Sequence, residues 1–129
     1  MGARFQRGRK TAPRHAQVPV EVLFSPAVVD LDHATFRLLV LLAAEFTGSN
    51  NGALGLTRQQ ARERGVRSAD AHSRGLAELE KRGLIVMTAQ AARNPSRPTQ
   101  YALTWRPLND TKHTSATRTP SFDYRTWAP

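Results

Sequence analysis

The stretch Leu56-Thr57-Arg58-Gln59-Gln60-Ala61-Arg62-Glu63-Arg64-Gly65-Val66-Arg67-Ser68, continued by Ala69-Asp70-Ala71-His72-Ser73-Arg74-Gly75-Leu76-Ala77-Glu78-Leu79-Glu80-Lys81-Arg82-Gly83-Leu84-Ile85, reads as helix, tight turn, helix and strand. Thr57 is a helix N-cap, and Gln60, three residues later, completes a capping box. Gly65 ends that helix. Ser68 caps the next, which the pattern carries to about Arg82 with Gly83 as its stop. His72, Gly75, Leu76 and Leu79 fall on one face of it. Residues 84–88 have the β-branched and apolar content of a strand.

Working outward, Asp32 can cap a helix over about 33–47. Phe36, Leu39, Val40 and Ala43 recur there at i, i+3, i+4 and i+7. Leu38, Leu41 and Leu42 widen the stripe, so this is expected to be the central core helix, buried on most sides. Ser25-Pro26 predicts a short helix over about 26–30 with Val28 and Val29 facing inward. Asn50-Asn51-Gly52 is a turn, and 53–56 a short strand. Downstream, 90–98 is a polar loop with two prolines. Tyr101, Leu103 and Trp105 alternate on one face of a second strand, making a hairpin that Pro107 ends. The expected organisation is a flexible basic arm over 1–18, a folded domain over 19–107, and a Thr-, Ser- and Pro-rich tail over 108–129.

A chain of 129 residues is about one domain. Its formal charge of +9, with a pI of about 11.4, favours polyanionic partners, nucleic acid first. The charge is uneven. Residues 1–14 carry Arg4, Arg7, Arg9, Lys10 and Arg14 with no acid, and residues 15–32 carry Glu21, Asp30 and Asp32 with no lysine or arginine. Residues 57–97 hold nine bases against four acids. No cysteine is present, which excludes disulfides and thiolate chemistry. The apolar run 38–44 is far short of the ~20 residues of a membrane span. No apolar segment follows the basic N-terminus, so no signal peptide is expected.

The order helix, short strand, helix, turn, helix, strand, loop, strand over about 33–105 resembles the winged helix-turn-helix superfamily. Its sharpest part is the run from Ser68 to Ile85, which looks like a MarR-like or GntR-like recognition helix leading into its wing. Gln60 and His72 depart from that pattern, standing where the family usually has apolar residues. The resemblance implies an α+β, mainly α fold: a three-helix core with a small antiparallel β-hairpin wing. It also implies sequence-specific binding to double-stranded DNA, as a transcriptional regulator or replication-origin binder of a bacterial or mobile genetic element. The setting would be cytoplasmic and nucleoid-associated, and a homodimer would match palindromic DNA.

On that reading Arg67, Ser68, Ala69, Ser73 and Arg74 meet the major groove. Small leading side chains allow close approach, and Arg74 can pair bidentately with guanine. Thr57, Arg58 and Arg62 of the preceding helix brace the backbone. Arg93, Asn94, Ser96 and Arg97 contact it from the wing, and Arg4, Arg7, Arg9 and Lys10 from the arm. The plainer alternative for the helix arginines is a solvated face. Asp70 would repel phosphates; its expected role is to stabilise the helix N-terminus through the dipole, worth about 0.3–1 kcal/mol. His72 is expected to be a partly buried histidine rather than a switch.

Phe122, Tyr124 and Trp127 fold back on the domain, dock a protein partner or, as the remaining option, stay disordered. The rival functional class is a winged-helix interaction module or inhibitor acting on a nucleic-acid-processing complex. Enzymatic function, a metal and a cofactor are not expected. The four histidines lack ligand spacing, and no P-loop lysine follows Gly48-Ser49-Asn50-Asn51-Gly52.

Overall fold

In a computed structural model of the chain, which describes residues 13–91 and 98–129, the protein is α+β and mainly helical. Five α-helices and a two-stranded antiparallel sheet are present among the described residues: α1 (Val20–Leu23), α2 (Pro26–Val29), α3 (His33–Glu45), α4 (Arg58–Glu63), α5 (Ala69–Lys81), β1 (Ile85–Ala89) and β2 (Gln100–Leu103), followed by a 3-10 turn at Asp123–Thr126. Among these residues no helix is long and apolar enough to cross a membrane.

The local signals explain most boundaries. Asp32 accepts from the Thr35 amide at 2.8 Å and starts α3. That bond is the main reason the Asp32 carboxyl titrates below its usual value. Thr57 and Gln60 form the reciprocal capping box of α4, at 3.1 and 3.0 Å. Gln60 thus occupies its slot to cap rather than to pack. The only buried residue of α4 is Ala61. Ser68 Oγ accepts from the Ala71 amide and caps α5.

The core lies between α3 and α5 and beneath the sheet. Leu38, Leu39, Leu42 and Ala43 of α3 pack with Leu76 and Leu79 of α5, with Leu84 and Ile85, and with Leu103. Each such leucine contributes about 1.5–3 kcal/mol by leaving water. Gly75 sits where the helices approach most closely. A Cβ there would overlap Leu38 Cδ1 and crowd Thr35 Oγ1.

The buried stripe of α3 is Thr35, Leu38, Leu39, Leu42 and Ala43, which corrects the expected stripe. Phe36, Val40 and Leu41 are only partly buried and line an open groove beside α1 and α2. The periodicity of a nearly all-apolar helix does not reveal which side lacks a neighbour. Val29, expected inside, is 70% exposed on the same side. α3 also ends at Glu45, two residues before the expected stop, because the Asn50 side chain takes over the Glu45 carbonyl and the Thr47 amide.

β1 and β2 pair with Ile85 opposite Leu103 and Met87 opposite Tyr101, and the register slips between Met87 and Ala89. Thr88, at that irregularity, donates its hydroxyl to the Gly52 carbonyl. On the other edge of β2 the expected strand over 53–56 shrinks to one bridge, Leu54 with Tyr101. The expected alternation in β2 gives way to five consecutive buried residues, from Tyr101 to Trp105. Just past the strand, the C-terminal segment joins this edge: the Phe122 amide donates to the Thr104 carbonyl at 2.8 Å.

Residues 108–129 therefore form no free tail. Tyr124 is 1% exposed and belongs to the core cluster. The backbone at Asp123 and Tyr124 lies so close to Gly83 that a Cβ there would stand 2.7 Å from the Asp123 carbonyl carbon. Trp127 stacks under the Arg82 guanidinium at 4.3 Å. Arg125 forks onto Glu21 at 2.6 and 3.0 Å, tying this segment to α1. That pair holds the Glu21 carboxyl below its ordinary pKa. Burial, with the Glu21 carboxylate second, raises the Tyr124 hydroxyl. The aromatic cluster is thus spent on the chain's own core, and Tyr124 is not available to a protein partner.

The stretch 13–18 also lies on the body rather than swinging free: Arg14 bonds the Ala44 carbonyl, and Gln17 accepts from Arg106.

Candidate functional site

The α4–turn–α5 unit is held by three contacts of different kinds. Gly65 takes φ +105° in the turn, a conformation L side chains rarely adopt. Arg37 of α3 lies against it and donates its Nε–H to the Arg64 carbonyl at 2.7 Å. Val66 returns to the core and donates its amide to the Ala61 carbonyl. On the far side, His72 Nε2 bonds the Leu56 carbonyl at 2.8 Å, joining α5 to the segment that enters α4. His72 is half-buried, and this bond gives a polar residue a structural task where an apolar one was expected.

With Gly75, Leu76 and Leu79 buried, α5 presents Asp70, Ser73, Arg74, Ala77 and Lys81 to solvent. This exposed face is mixed in charge. Arg74 Nε reaches Asp70 Oδ2 at 2.8 Å, and both side chains are solvent-exposed. Asp70 lies in the first turn of α5, as expected, but it also neutralises the arginine expected to read a base. Ser68 is exposed with its hydroxyl engaged as the cap, and Ala69 is half-buried.

Arg58 and Arg62 of α4, and Arg67 in the turn, are all exposed. Among the described residues none of the three has an ion-pair partner. Thr57 is part-buried, its hydroxyl committed to the cap. A cleft of about 420 Å³ separates α5 from the hairpin, lined by Leu56, Arg58, His72, Leu76, Met87 and Tyr101 among others. The Tyr101 hydroxyl is raised first by burial and then by the nearby Glu80 carboxylate.

The structure thus brings Thr57, Arg58, Arg62, Arg67, Ser68, Ala69, Ser73 and Arg74 onto one helix–turn–helix unit. The other expected contacts, Arg93, Asn94, Ser96 and Arg97 of the hairpin loop and Arg4, Arg7, Arg9 and Lys10 of the arm, lie outside the described residues. His72 is partly buried as expected, but sequence reasoning missed its bond to Leu56 and missed Arg37. The His72 bond crosses 16 positions and the Arg37 bond 27. Neither leaves a periodic trace.

A scan against protein-family models found no match, and searches of curated proteins and of solved structures gave no significant similarity.

Proposed function

We propose that the protein is a winged-helix protein that binds double-stranded DNA through α4, the Gly65 turn and the N-terminal half of α5, with the β1–β2 hairpin as its wing. The observation that carries this reading is a group of three exposed arginines on one unit. Arg58, Arg62 and Arg67 remain exposed and without ion-pair partners among the described residues, all on the α4–turn–α5 unit. Side chains arranged so are free to replace condensed cations on a phosphate backbone. Ser73 and Arg74 then stand on the solvent face of α5 to meet base edges, Arg74 exchanging its Asp70 partner for a guanine. Regulation of transcription and origin binding both fit this surface.

The test is a mobility-shift titration of random and of selected duplexes across rising salt. Binding should weaken steeply, by about 0.9 log units of affinity per log unit of salt for each phosphate contact. Absence of binding to any duplex at low salt would sink the proposal. The interaction module acting on a nucleic-acid-processing complex would then take its place.

A further inference from the structure

Asp70, Ser73, Arg74 and Ala77 stand at i, i+3, i+4 and i+7 of α5 and are all exposed, so they form one outward stripe. Ser73 and Ala77 are short and uncharged. Asp70 and Arg74 carry the charge of the stripe, and they are joined Oδ2 to Nε at 2.8 Å. The carboxylate has no second ion-pair partner among the described residues. The cap of α5 is Ser68, not Asp70. Asp32 and Glu78 line the same hollow as Arg74, but Asp32 is committed to the Thr35 amide and Glu78 to Arg82. Asp70 is thus the acid near Arg74 that can leave its bond without undoing a cap or a tertiary contact.

Magnitudes say when it leaves. An exposed ion pair holds its members by no more than about fivefold. A bidentate arginine–guanine contact discriminates against the wrong base by about 5- to 150-fold. A guanine therefore opens the pair, and opening it frees the carboxylate as well as the guanidinium. An ionised carboxylate only accepts hydrogen bonds. In the major groove guanine offers it acceptors and thymine an acceptor and a methyl group, while the amino donor of adenine stands beside the N7 acceptor. Cytosine is the base whose edge carries a donor and no acceptor.

On the reading of α4–turn–α5 as a DNA-binding unit, on which this assignment rests, we infer that Asp70 is a specificity-determining residue. It accepts from the N4 amino group of a cytosine when Arg74 leaves it for a guanine. Four residues of helix separate the two positions by about 6 Å along α5, one to two base-pair steps of about 3.4 Å. The cytosine and the guanine therefore lie within about two base pairs of each other. At other sequences a freed carboxylate would meet acceptors or phosphates, so the pair stays closed and Arg74 adds little. Both charges find partners at one sequence only, and the repulsion elsewhere is part of the discrimination.

The test is selection of bound duplexes from a random pool, followed by mobility-shift titrations, for the full-length wild type, Asp70→Ala, Asp70→Asn and Arg74→Ala. Sites selected by the wild type should hold a guanine and a cytosine within about two base pairs. Asp70→Ala should keep the guanine and lose the cytosine preference, a fall of about 5- to 150-fold in the affinity ratio of matched to mismatched duplex. Asp70→Asn should shift that position toward adenine, whose edge an amide matches. Arg74→Ala should lose the guanine. On random duplex Asp70→Ala should bind tighter, by up to about fivefold, since Arg74 is then free for a phosphate. Circular dichroism should show the native fold in every variant, because the Ser68 cap is untouched. A role confined to the helix dipole would move stability and leave base preference alone. A wild type that binds no duplex sinks the DNA reading and this inference with it. A wild type that selects a site, with natively folded Asp70 variants selecting the same one, overturns the inference alone.

Discussion

Two sets of three arginines in this chain differ in what surrounds them. On the side closed by the N- and C-terminal segments, Arg82 is held by Asp30 and Glu78, and Arg125 by Glu21, while Arg64 behind the turn is held by Glu45. Arg82 shows the consequence. Burial works against its charge, yet its hydrogen bonds to Glu78 and then Asp30 leave the guanidinium with a raised pKa. It also carries the Trp127 ring and bonds the Ala27 carbonyl. On the α4–α5 side, Arg58, Arg62 and Arg67 have no such company among the described residues. Similar residues serve as fasteners in one region and as unspent charge in the other. Arg74 falls between the groups, exposed but paired with Asp70.

The difference can be broken from either side. The largest effect is expected at Asn51, fully buried at the foot of the fastened region. Its side-chain amide donates to the carbonyls of Leu103, Arg106 and Pro107 and accepts from the Leu103 amide. Asn51→Asp keeps the shape but turns a carboxylate toward three carbonyl oxygens. It should cost about 3–5 kcal/mol in urea unfolding, the scale of an uncompensated buried charge. Gly83→Ala should cost less, about 1–3 kcal/mol, by pushing the 3-10 turn away from the end of α5. Red-shifted tryptophan emission would report Trp127 entering water. If the emission does not move, the C-terminal segment is not the clasp described above.

On the other side, Arg67→Ala should leave unfolding unchanged within about 0.5 kcal/mol, as for other exposed positions. It should lower the salt slope of DNA binding by about one. A variant that loses stability but keeps its salt slope would move Arg67 into the fastened group.

The smallest effect belongs to Arg125→Ala, because the Glu21 pair is exposed. Its pH dependence is the informative part. Glu21 titrates below its unfolded value, so its contribution is complete above that value and fades as pH falls through the lower, folded one. The melting temperature of Arg125→Ala should therefore lie slightly below wild type at neutral pH and converge with it in acid. A gap that persists in acid would mean that Arg125 acts by packing on Phe122, 3.7 Å from its ring centroid, rather than by its charge.

How much was legible follows from the range of each interaction. The caps Asp32, Thr57 with Gln60, and Ser68 all act within three residues, and each was readable as a spacing. The glycine stops at 65 and 83 were readable too. α1 was not expected: it is four residues long, has no side-chain cap, and is held by burial of Val22 and by the Arg125 pair. Asn51 was readable as a turn residue but not as a hub, since its partners lie 52 to 58 positions away. In the candidate site, the helices and their exposed arginines were legible. The Asp70–Arg74 pair was present in the spacing but was not drawn from it. The bracing of the turn by Arg37 was out of reach.

By itself, then, the sequence determined where the helices around the turn begin and end, because capping and glycine geometry are short-range. It also determined that the chain carries a large positive surplus. The i,i+4 pairs Asp70–Arg74 and Glu78–Arg82 lie within its reach too, but only the tertiary structure decided the longer-range part of the neutralisation. The acids that hold Arg64 and Arg125 come from 19 and 104 positions away, and Asp30, one of the two that hold Arg82, from 52. A Coulomb partner matters within a few ångströms, and folding alone sets that distance.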